Sequence, residues 1–217
     1  MNSIADRARF IVEHTEVMAP PLVPELRLHL AHEAVPLWQK TEEELGTMGL
    51  PPPFWAFAWA GGQALARHVL DRPELVRGKR VIDLAAGSGL VGIAARMAGA
   101  AHVLAADIDG FALAAMGLNA DRNGVVLATS GDNLLAAPPP DADVILVGDL
   151  FYEKTLAEQA WAWLMAARAT GAVILIGDPG RSYLPRERLP RLADYAVPVS
   201  RDLEDAEIKH TAVWQPV

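Results

Sequence analysis

Apolar and polar positions along the chain predict an alternation of strands and helices. Short apolar runs, of the kind that fill both faces of a parallel sheet, cover residues 80–85, 101–106, 125–129, 143–148 and 172–176. Helical spacing of apolar residues predicts helices over 90–98, 110–121 and 153–169. This alternation indicates an α/β fold, a mostly parallel sheet with helices on both faces.

The two ends of the chain follow other patterns. Residues 4–17 have the apolar spacing of a helix, and leucines alternate with polar residues over 26–30, as in a short half-buried strand. The prolines at 51–53 break regular structure, so we expect one domain made of an N-terminal extension (1–53) and an α/β body (54–217). Towards the end of the chain we expect a helix over 185–193, followed by two paired strands near 195–201 and 208–215.

The most informative stretch is residues 80–89, in which a buried strand runs into a glycine turn. Glycine lets the backbone turn sharply and approach a ligand closely, and the following helix directs its positive end towards that ligand. Gly87, Gly89 and Gly92 also match the G-x-G-x-x-G pattern of dinucleotide sites. The stretch predicts a nucleotide-type cofactor and leaves NAD and S-adenosylmethionine open.

Asp83, four residues before Gly87, separates these two cofactors. A carboxylate there would repel a pyrophosphate, whereas it would attract the ammonium and sulfonium of S-adenosylmethionine. The late position of this strand also differs from dinucleotide domains, which often begin near it. Asp107, after the next strand, suits the ribose of either cofactor. We therefore predict S-adenosylmethionine.

Asp132 and Asn133 follow the third predicted strand, and we expect a side chain there to bind the adenine amino group; the alternative is a plain turn or a helix N-cap. The predicted set of cofactor residues comprises Asp83, Ala85, Gly87, Gly89, Asp107, Ile108, Asp132, Asn133 and Asp149.

A second candidate site follows the fourth strand, where Asp149 and Tyr152 would lie beside the methyl group of the cofactor. Methyl transfer is an in-line displacement, so alignment is the main task. An acid can hold a lysine ammonium, whose pKa is about 10.4, and a tyrosine ring can contact the cation. In the alternative interpretation, Asp149 caps the helix over 153–169 while Phe151 and Tyr152 pack in the core.

The layout resembles that of class I methyltransferases. Asp149 to Tyr152 (Asp-Leu-Phe-Tyr) resembles the D/E-x-x-Y/F signature of the seven-strand protein lysine methyltransferases. Segments 54–65, 148–152 and 176–181 resemble the electron transfer flavoprotein beta subunit lysine methyltransferases, and the resemblance runs from about residue 24 to the end of the chain. Two residues depart from it: Ala60 stands where proline is usual, and Ala85 replaces the first glycine of the cofactor loop.

The resemblance implies a Rossmann-like class I methyltransferase fold with a seven-stranded sheet. It implies protein-lysine N-methyltransferase activity on the electron transfer flavoprotein beta subunit or a similar small protein. Asp149 and Tyr152 become the catalytic pair, and Trp59 is expected near the methionine end of the cofactor. Asp178 and Arg181 are candidates for the acceptor channel.

Composition limits the partners, metal sites and cellular location that we expect. A net charge of −8 disfavours nucleic acid and anionic membranes as partners. The chain has no cysteine, which excludes disulfides and thiolate metal sites. Among the histidines only His29 and His32 have the spacing of metal ligands, and they flank the end of a predicted strand, so we expect no metal site there. The N-terminal residues lack the pattern of a signal peptide, and no apolar run is long enough to span a bilayer. We expect a cytoplasmic monomer without a metal.

Two rival functions stay open. One is a small-molecule N- or O-methyltransferase on the same fold, although Asp149 to Tyr152 suit a cationic amine better than a phenol or a carboxylate. The other is a catalytically idle cofactor-binding module, which the intact Asp149 and glycine turn disfavour.

Overall fold

The structure is a computed structural model that describes residues 4–32, 52–199 and 207–217. The helices of this part are α1 (Ile4–His14), α2 (Ala60–Asp71), α3 (Leu90–Met97), α4 (Gly110–Arg122) and α5 (Lys154–Ala169). The strands are β1 (Glu16–Met18), β2 (Leu28–Leu30), β3 (Arg80–Leu84), β4 (His102–Ala106), β5 (Ala128–Ser130), β6 (Val144–Gly148), β7 (Val173–Asp178), β8 (Arg191–Pro198) and β9 (Ile208–Trp214). The acidic run at residues 42–44, whose composition predicts a solvated helix face, lies outside the described residues.

Seven strands form the main sheet, in the order β5-β4-β3-β6-β7-β9-β8. Strands β3 to β7 are parallel, β9 is antiparallel to β7, and β8 is antiparallel to β9. β3 is the first strand of this sheet along the chain. The next two strands, β4 and β5, are added on one side of β3, and β6 is then added on its other side. Ligands of open α/β sheets bind beyond the carboxyl ends of the strands at such a reversal. The predicted seven-stranded, mostly parallel sheet is confirmed.

Strand β6 shows why the apolar runs are continuous. Ile145 and Val147 pack with Leu164 of α5 on one face of the sheet, while Leu146 packs with Leu65 of α2 on the other. Successive side chains of a strand point to opposite faces, so a strand covered on both sides needs an apolar residue at every position.

The N-terminal segment packs on the helices of the body. Phe10 and Ile11 of α1 join the cluster around Phe111 and Met116 of α4. Leucines and a valine over residues 23–30 pack with residues of α2 and α3. Each fully buried side chain of this kind contributes roughly 1.5–3 kcal/mol, so the described part of the extension shares the core of the body.

The N-terminal elements are shorter than expected. Helix α1 ends at His14 rather than at residue 17, because Glu16 begins β1, which pairs with β2. The strand expected over 26–30 begins at Leu28, and it is not half-buried, because all three of its residues, including His29, are buried. The backbone N–H of His29 donates to Oδ1 of Asn119 at 2.7 Å.

The helix expected over residues 185–193 is wrong. The chain makes a single 3-10 turn, Arg186–Arg188, and then enters β8 at Arg191. Pro190 lacks an N–H and disfavours the helical conformation in the residue before it. Leu189 accordingly is extended, with φ −125° and ψ 98°.

The first turn of α2 lies closer to the ends of β6 and β7 than side chains would permit. A Cβ added to Gly61 would overlap the carbonyl oxygen of Gly177, and a Cβ on Gly177 would overlap that of Gly61. A Cβ on Gly148 would lie 3.0 Å from the Cα of Gly62. Glycines on three segments therefore let the helix begin directly against the sheet.

We expect Gly177→Ala to lower the free energy of unfolding by about 3 kcal/mol, because the added methyl group would collide with the backbone of α2 and with Leu65. Gly117→Ala in α4 is the matched control. A Cβ there meets no atom within 4 Å, so helix propensity predicts a gain of about 1 kcal/mol. Urea unfolding followed by circular dichroism measures both changes. A Gly177→Ala variant as stable as the wild type would show that the close contact is not required.

Candidate active site

The glycine turn between β3 and α3 contains three residues with positive φ. They are Ala85 (54°), Gly87 (52°) and Gly89 (80°). Glycine adopts this conformation readily, whereas other residues lose roughly 1–2 kcal/mol in it. Ala85 is therefore a strained position, at the place where the sequence departs from the usual glycine. The turn keeps a left-handed conformation at this residue all the same.

Asp83 lies beneath this turn. Its Oδ2 accepts the N–H of Gly92 in the first turn of α3 at 2.7 Å, and the residue is only 1% exposed. Burial raises the pKa of Asp83 to about 7; the Gly92 hydrogen bond opposes the rise and the charge of Asp107 adds to it. The observed partner of Asp83 is thus the backbone of α3, and its contact with a cofactor ammonium stays a prediction.

Asp107 joins the end of β4 to the glycine turn. Its Oδ2 accepts the N–H of Gly87 at 2.9 Å, and its Oδ1 accepts the N–H of Asp109 at 2.9 Å. Burial raises the pKa of Asp107, and the backbone N–H groups of Asp109, Gly87 and Ile108 oppose the rise. A carboxylate has about four acceptor positions, so Asp107 has capacity left for ribose hydroxyls.

Three other predicted cofactor residues lie on the surface near these strand ends. Ile108 is 73% exposed, which is unusual for a large apolar side chain and suits contact with an adenine ring. Oδ2 of Asp132 accepts the hydroxyl of Ser130 at 2.9 Å. Asn133 caps the 3-10 turn Leu134–Ala136 by accepting the N–H of Leu135 at 3.1 Å. Asn133 therefore has a local structural role, whatever else it contacts.

Asp149 follows β6 and, with Ala85, is one of two non-glycine residues with positive φ in the described part of the chain. Its Oδ2 accepts the N–H of Gly62 at 2.9 Å. Its Oδ1 accepts from Arg181, from Nε at 3.1 Å and from Nη2 at 2.8 Å. The carboxylate thus caps α2 and forms an ion pair with the loop after β7.

The alternative role for Asp149, as the cap of the helix after β6, is wrong. That helix, α5, is capped by Glu153, which accepts the N–H groups of Thr155 and Leu156 at 2.9 and 2.7 Å. Phe151 is fully buried, as that alternative expected, but Tyr152 is 48% exposed. The Tyr152 ring is therefore accessible at the surface, where it contacts Phe54.

Asp178, at the end of β7, orients the loop that carries Arg181. Its Oδ1 accepts the N–H groups of Gly180 and Arg181, both at 2.6 Å. Burial and then the charge of Asp149 raise the pKa of Asp178 to about 7, and the two backbone hydrogen bonds oppose the rise. Asp178 therefore fixes the backbone of Arg181 beside Asp149, and the part of both residues in an acceptor channel stays a prediction.

Aromatic rings lie near Arg181, on the side of the sheet where β6 and β7 end. Nε1 of Trp59 donates to the carbonyl oxygen of Phe54 at 2.8 Å, and Cζ of Arg181 lies 5.8 Å from the centroid of the Trp59 ring. The ring centroids of Phe54 and Tyr152 are 5.4 Å apart. Phe54 was not among the predicted site residues. The signal that could have found it is an aromatic residue placed just before the Gly61-Gly62 helix start.

Within the described ranges, no group of three or more histidine and acidic side chains is arranged to hold a metal ion. No helix in the same ranges is long and apolar enough to cross a bilayer.

We expect Asp83→Asn to weaken the pH dependence of stability. A carboxyl whose pKa rises from about 3.9 in the unfolded chain to about 7 in the fold binds its proton more tightly when folded. Its contribution to the free energy of unfolding is therefore lost as pH rises from about 4 to about 7, by up to about 1.4 kcal/mol per pH unit. Urea unfolding at a series of pH values measures the slope, and Asp132→Asn controls for the loss of one exposed carboxylate. Equal slopes in the wild type and in Asp83→Asn would contradict the assignment.

Two solved structures show the likeness of the fold. The ribosomal protein L11 methylase from Lactobacillus delbrueckii subsp. bulgaricus has a TM-score of 0.52 at 21% identity, over 74% of this chain and 81% of that one. TrmN from Thermus thermophilus has a TM-score of 0.54 at 20% identity, over 78% of this chain and 55% of that one. These likenesses agree with the class I methyltransferase fold.

Sequence relatives are more specific. The family model for ribosomal protein L11 methyltransferase (PrmA) matches residues 64–148. The electron transfer flavoprotein beta subunit lysine methyltransferase of Xenopus laevis is 40% identical over 94% of this chain and 85% of its own length. The protein of that name from Homo sapiens is 35% identical over 94% of this chain and 80% of its own length. The chain therefore belongs to the electron transfer flavoprotein beta subunit lysine methyltransferase family, and it is an S-adenosylmethionine-dependent protein-lysine N-methyltransferase.

Proposed function

We propose that this chain methylates lysine side chains of the electron transfer flavoprotein beta subunit, or of a similar small protein. The observation that carries the proposal is the ion pair of Asp149 and Arg181 at the carboxyl ends of β6 and β7. Tyr152 joins this group through two aromatic rings, because its ring contacts Phe54, and Phe54 contacts Trp59 beside Arg181. The names of the relatives support the target protein.

The predicted cofactor residues suit the chemistry of S-adenosylmethionine. When bound, this cofactor supplies an electrophilic methyl group on a sulfonium. Asp107 would accept its ribose hydroxyls, the turn at Gly87 and Gly89 would let the backbone approach it, and Ile108 would cover its adenine. The predicted set contains acids and no basic side chain, which fits a cationic cofactor and does not fit a pyrophosphate.

The acceptor lysine has to reach the end of β6 as a neutral amine, because an ammonium has no lone pair to attack with. Its proton is lost to water before transfer. Burial, followed by the charges of Asp107 and Glu153, raises the pKa of Tyr152, so its hydroxyl stays protonated and can accept a hydrogen bond from the amine.

A cytoplasmic, single-domain monomer is also part of the proposal. The chain contains no cysteine, as is common in proteins of reducing compartments. Its net charge of −8 disfavours nucleic acid and anionic membranes as partners.

The test is methyl transfer from radiolabelled S-adenosylmethionine into a cell lysate, followed by mass spectrometry of the labelled protein. We expect the label on lysines of the electron transfer flavoprotein beta subunit. Asp107→Ala is the control: it removes charge-assisted hydrogen bonds of about 1.5–3 kcal/mol each, so both the affinity for S-adenosylhomocysteine and the labelling fall at least about tenfold. Label on residues other than lysine would refute the proposal, as would tighter binding of NADH than of S-adenosylhomocysteine.

A further inference from the structure

The carboxylate of Asp149 already has partners within the chain. The N–H of Gly62 binds one oxygen, the guanidinium of Arg181 binds the other, and the Asp149 side chain is only 9% exposed. A lysine ammonium at this carboxylate would compete with the guanidinium and would bring a second positive charge beside the first. The ion pair therefore disfavours Asp149 as the direct partner of a lysine cation.

A second feature of the acceptor side is exposed to solvent. We use the name aromatic wall for the rings of Phe54, Trp59 and Tyr152. Phe54 lies at the centre of this wall, with its ring centroid 5.8 Å from that of Trp59 and 5.4 Å from that of Tyr152. Phe54 is 41% exposed and Tyr152 48% exposed. Adjacent exposed aromatic rings next to a reaction site are a feature of binding surfaces.

The aromatic wall connects the two halves of the site. Burial, and after it the charge of Asp107, raises the pKa of Tyr152, and Asp107 is the predicted ribose partner. Trp59 contacts Arg181 on the side of Asp149. A lysine side chain lying along the wall would thus have its amine between the cofactor residues and the Asp149–Arg181 pair.

Aromatic ring faces can contact the acceptor lysine both before and after methylation. They pack against the aliphatic stem of lysine, and they attract an ammonium through the ring quadrupole. Methylation of the amine removes N–H donors but leaves the positive charge of the protonated product, so ring faces keep their attraction where hydrogen-bond acceptors lose theirs.

We propose that the ring faces of Phe54 and Tyr152 hold the acceptor lysine, and that Asp149 is a positioning residue that fixes α2 and Arg181. This inference rests on the proposed lysine methyl transfer, and it adds Phe54 as a determinant of substrate binding.

The test compares Phe54→Ala and Phe54→Tyr in steady-state methylation of the protein that the wild type labels. Phe54→Ala should raise the KM for that protein about five- to tenfold and leave kcat and the affinity for S-adenosylhomocysteine within about twofold. Phe54→Tyr should restore the wild-type KM. The fold should survive, because the ring is partly exposed and it is the backbone carbonyl of Phe54 that binds Trp59. Leu192→Ala, which removes an apolar side chain exposed to 42% on β8, should leave KM unchanged.

The same assay with Asp149→Asn separates positioning from direct binding. The amide keeps an oxygen for Gly62 but loses the charge that orients Arg181, so kcat should fall while the KM for the protein changes less than about threefold. An unchanged KM in Phe54→Ala, or a large rise of KM with unchanged kcat in Asp149→Asn, would overturn the inference.

The labelling experiment with the wild-type protein alone tests the proposed function. If the wild type labels a lysine of another protein, the proposed target is wrong, and the KM comparison on that protein still decides the role of Phe54. If the wild type labels no lysine, the proposed function and the inference that rests on it are both wrong.

Discussion

The contact between the first turn of α2 and the ends of β6 and β7 is the constraint on which the site depends. Gly61 and Gly177 allow the two backbones to meet, and the carboxylate of Asp149 caps the helix through Gly62. A carboxylate at a helix N-terminus is favoured by the partial positive charge there. The left-handed conformation of Asp149 directs its side chain to this position at some cost in backbone strain. The segment just before α2, with Phe54 and Trp59, is thereby fixed beside Tyr152.

This constraint couples the acceptor side to the cofactor side. Arg181 reaches Asp149 because Asp178 holds its backbone N–H, and it also lies over the Trp59 ring. On the other side of the reversal in strand order, Asp107 holds the glycine turn through Gly87. The carboxylates of Asp107 and Asp149 thus bind backbone N–H groups of the protein itself. The groups of the site that stay exposed to solvent are the Ile108 side chain and the aromatic wall. The inferred binding of the acceptor lysine by ring faces follows from this arrangement, because the charge of Asp149 is already paired with Arg181.

The sequence predicted the sheet well because its strands are covered on both faces, which forces continuous apolar runs such as that of β6. The helix predicted over 185–193 was wrong, because the composition of this segment favours a helix but Pro190 holds Leu189 in an extended conformation. The residues of the candidate site could be selected from strand ends and motifs, but their partners could not. Gly62 and Asp149 are far apart in the sequence, as are Asp149 and Arg181, so their contacts arise only when the sheet has formed. For the same reason the sequence did not indicate that Phe54 joins Tyr152, or that Asp149 is paired.

Hydrogen exchange of the Gly62 amide, measured by NMR in the wild type and in Asp149→Gly, tests the central claim most directly. Glycine relieves the positive φ at this position, so the variant removes the carboxylate without adding backbone strain. If Asp149 holds α2, the Gly62 amide exchanges at least about tenfold faster in the variant, while the Gly92 amide, bound to Asp83, exchanges at its wild-type rate. Equal exchange of Gly62 in the two proteins would contradict the account, because the carboxylate of Asp149 would then be available to bind the substrate lysine itself.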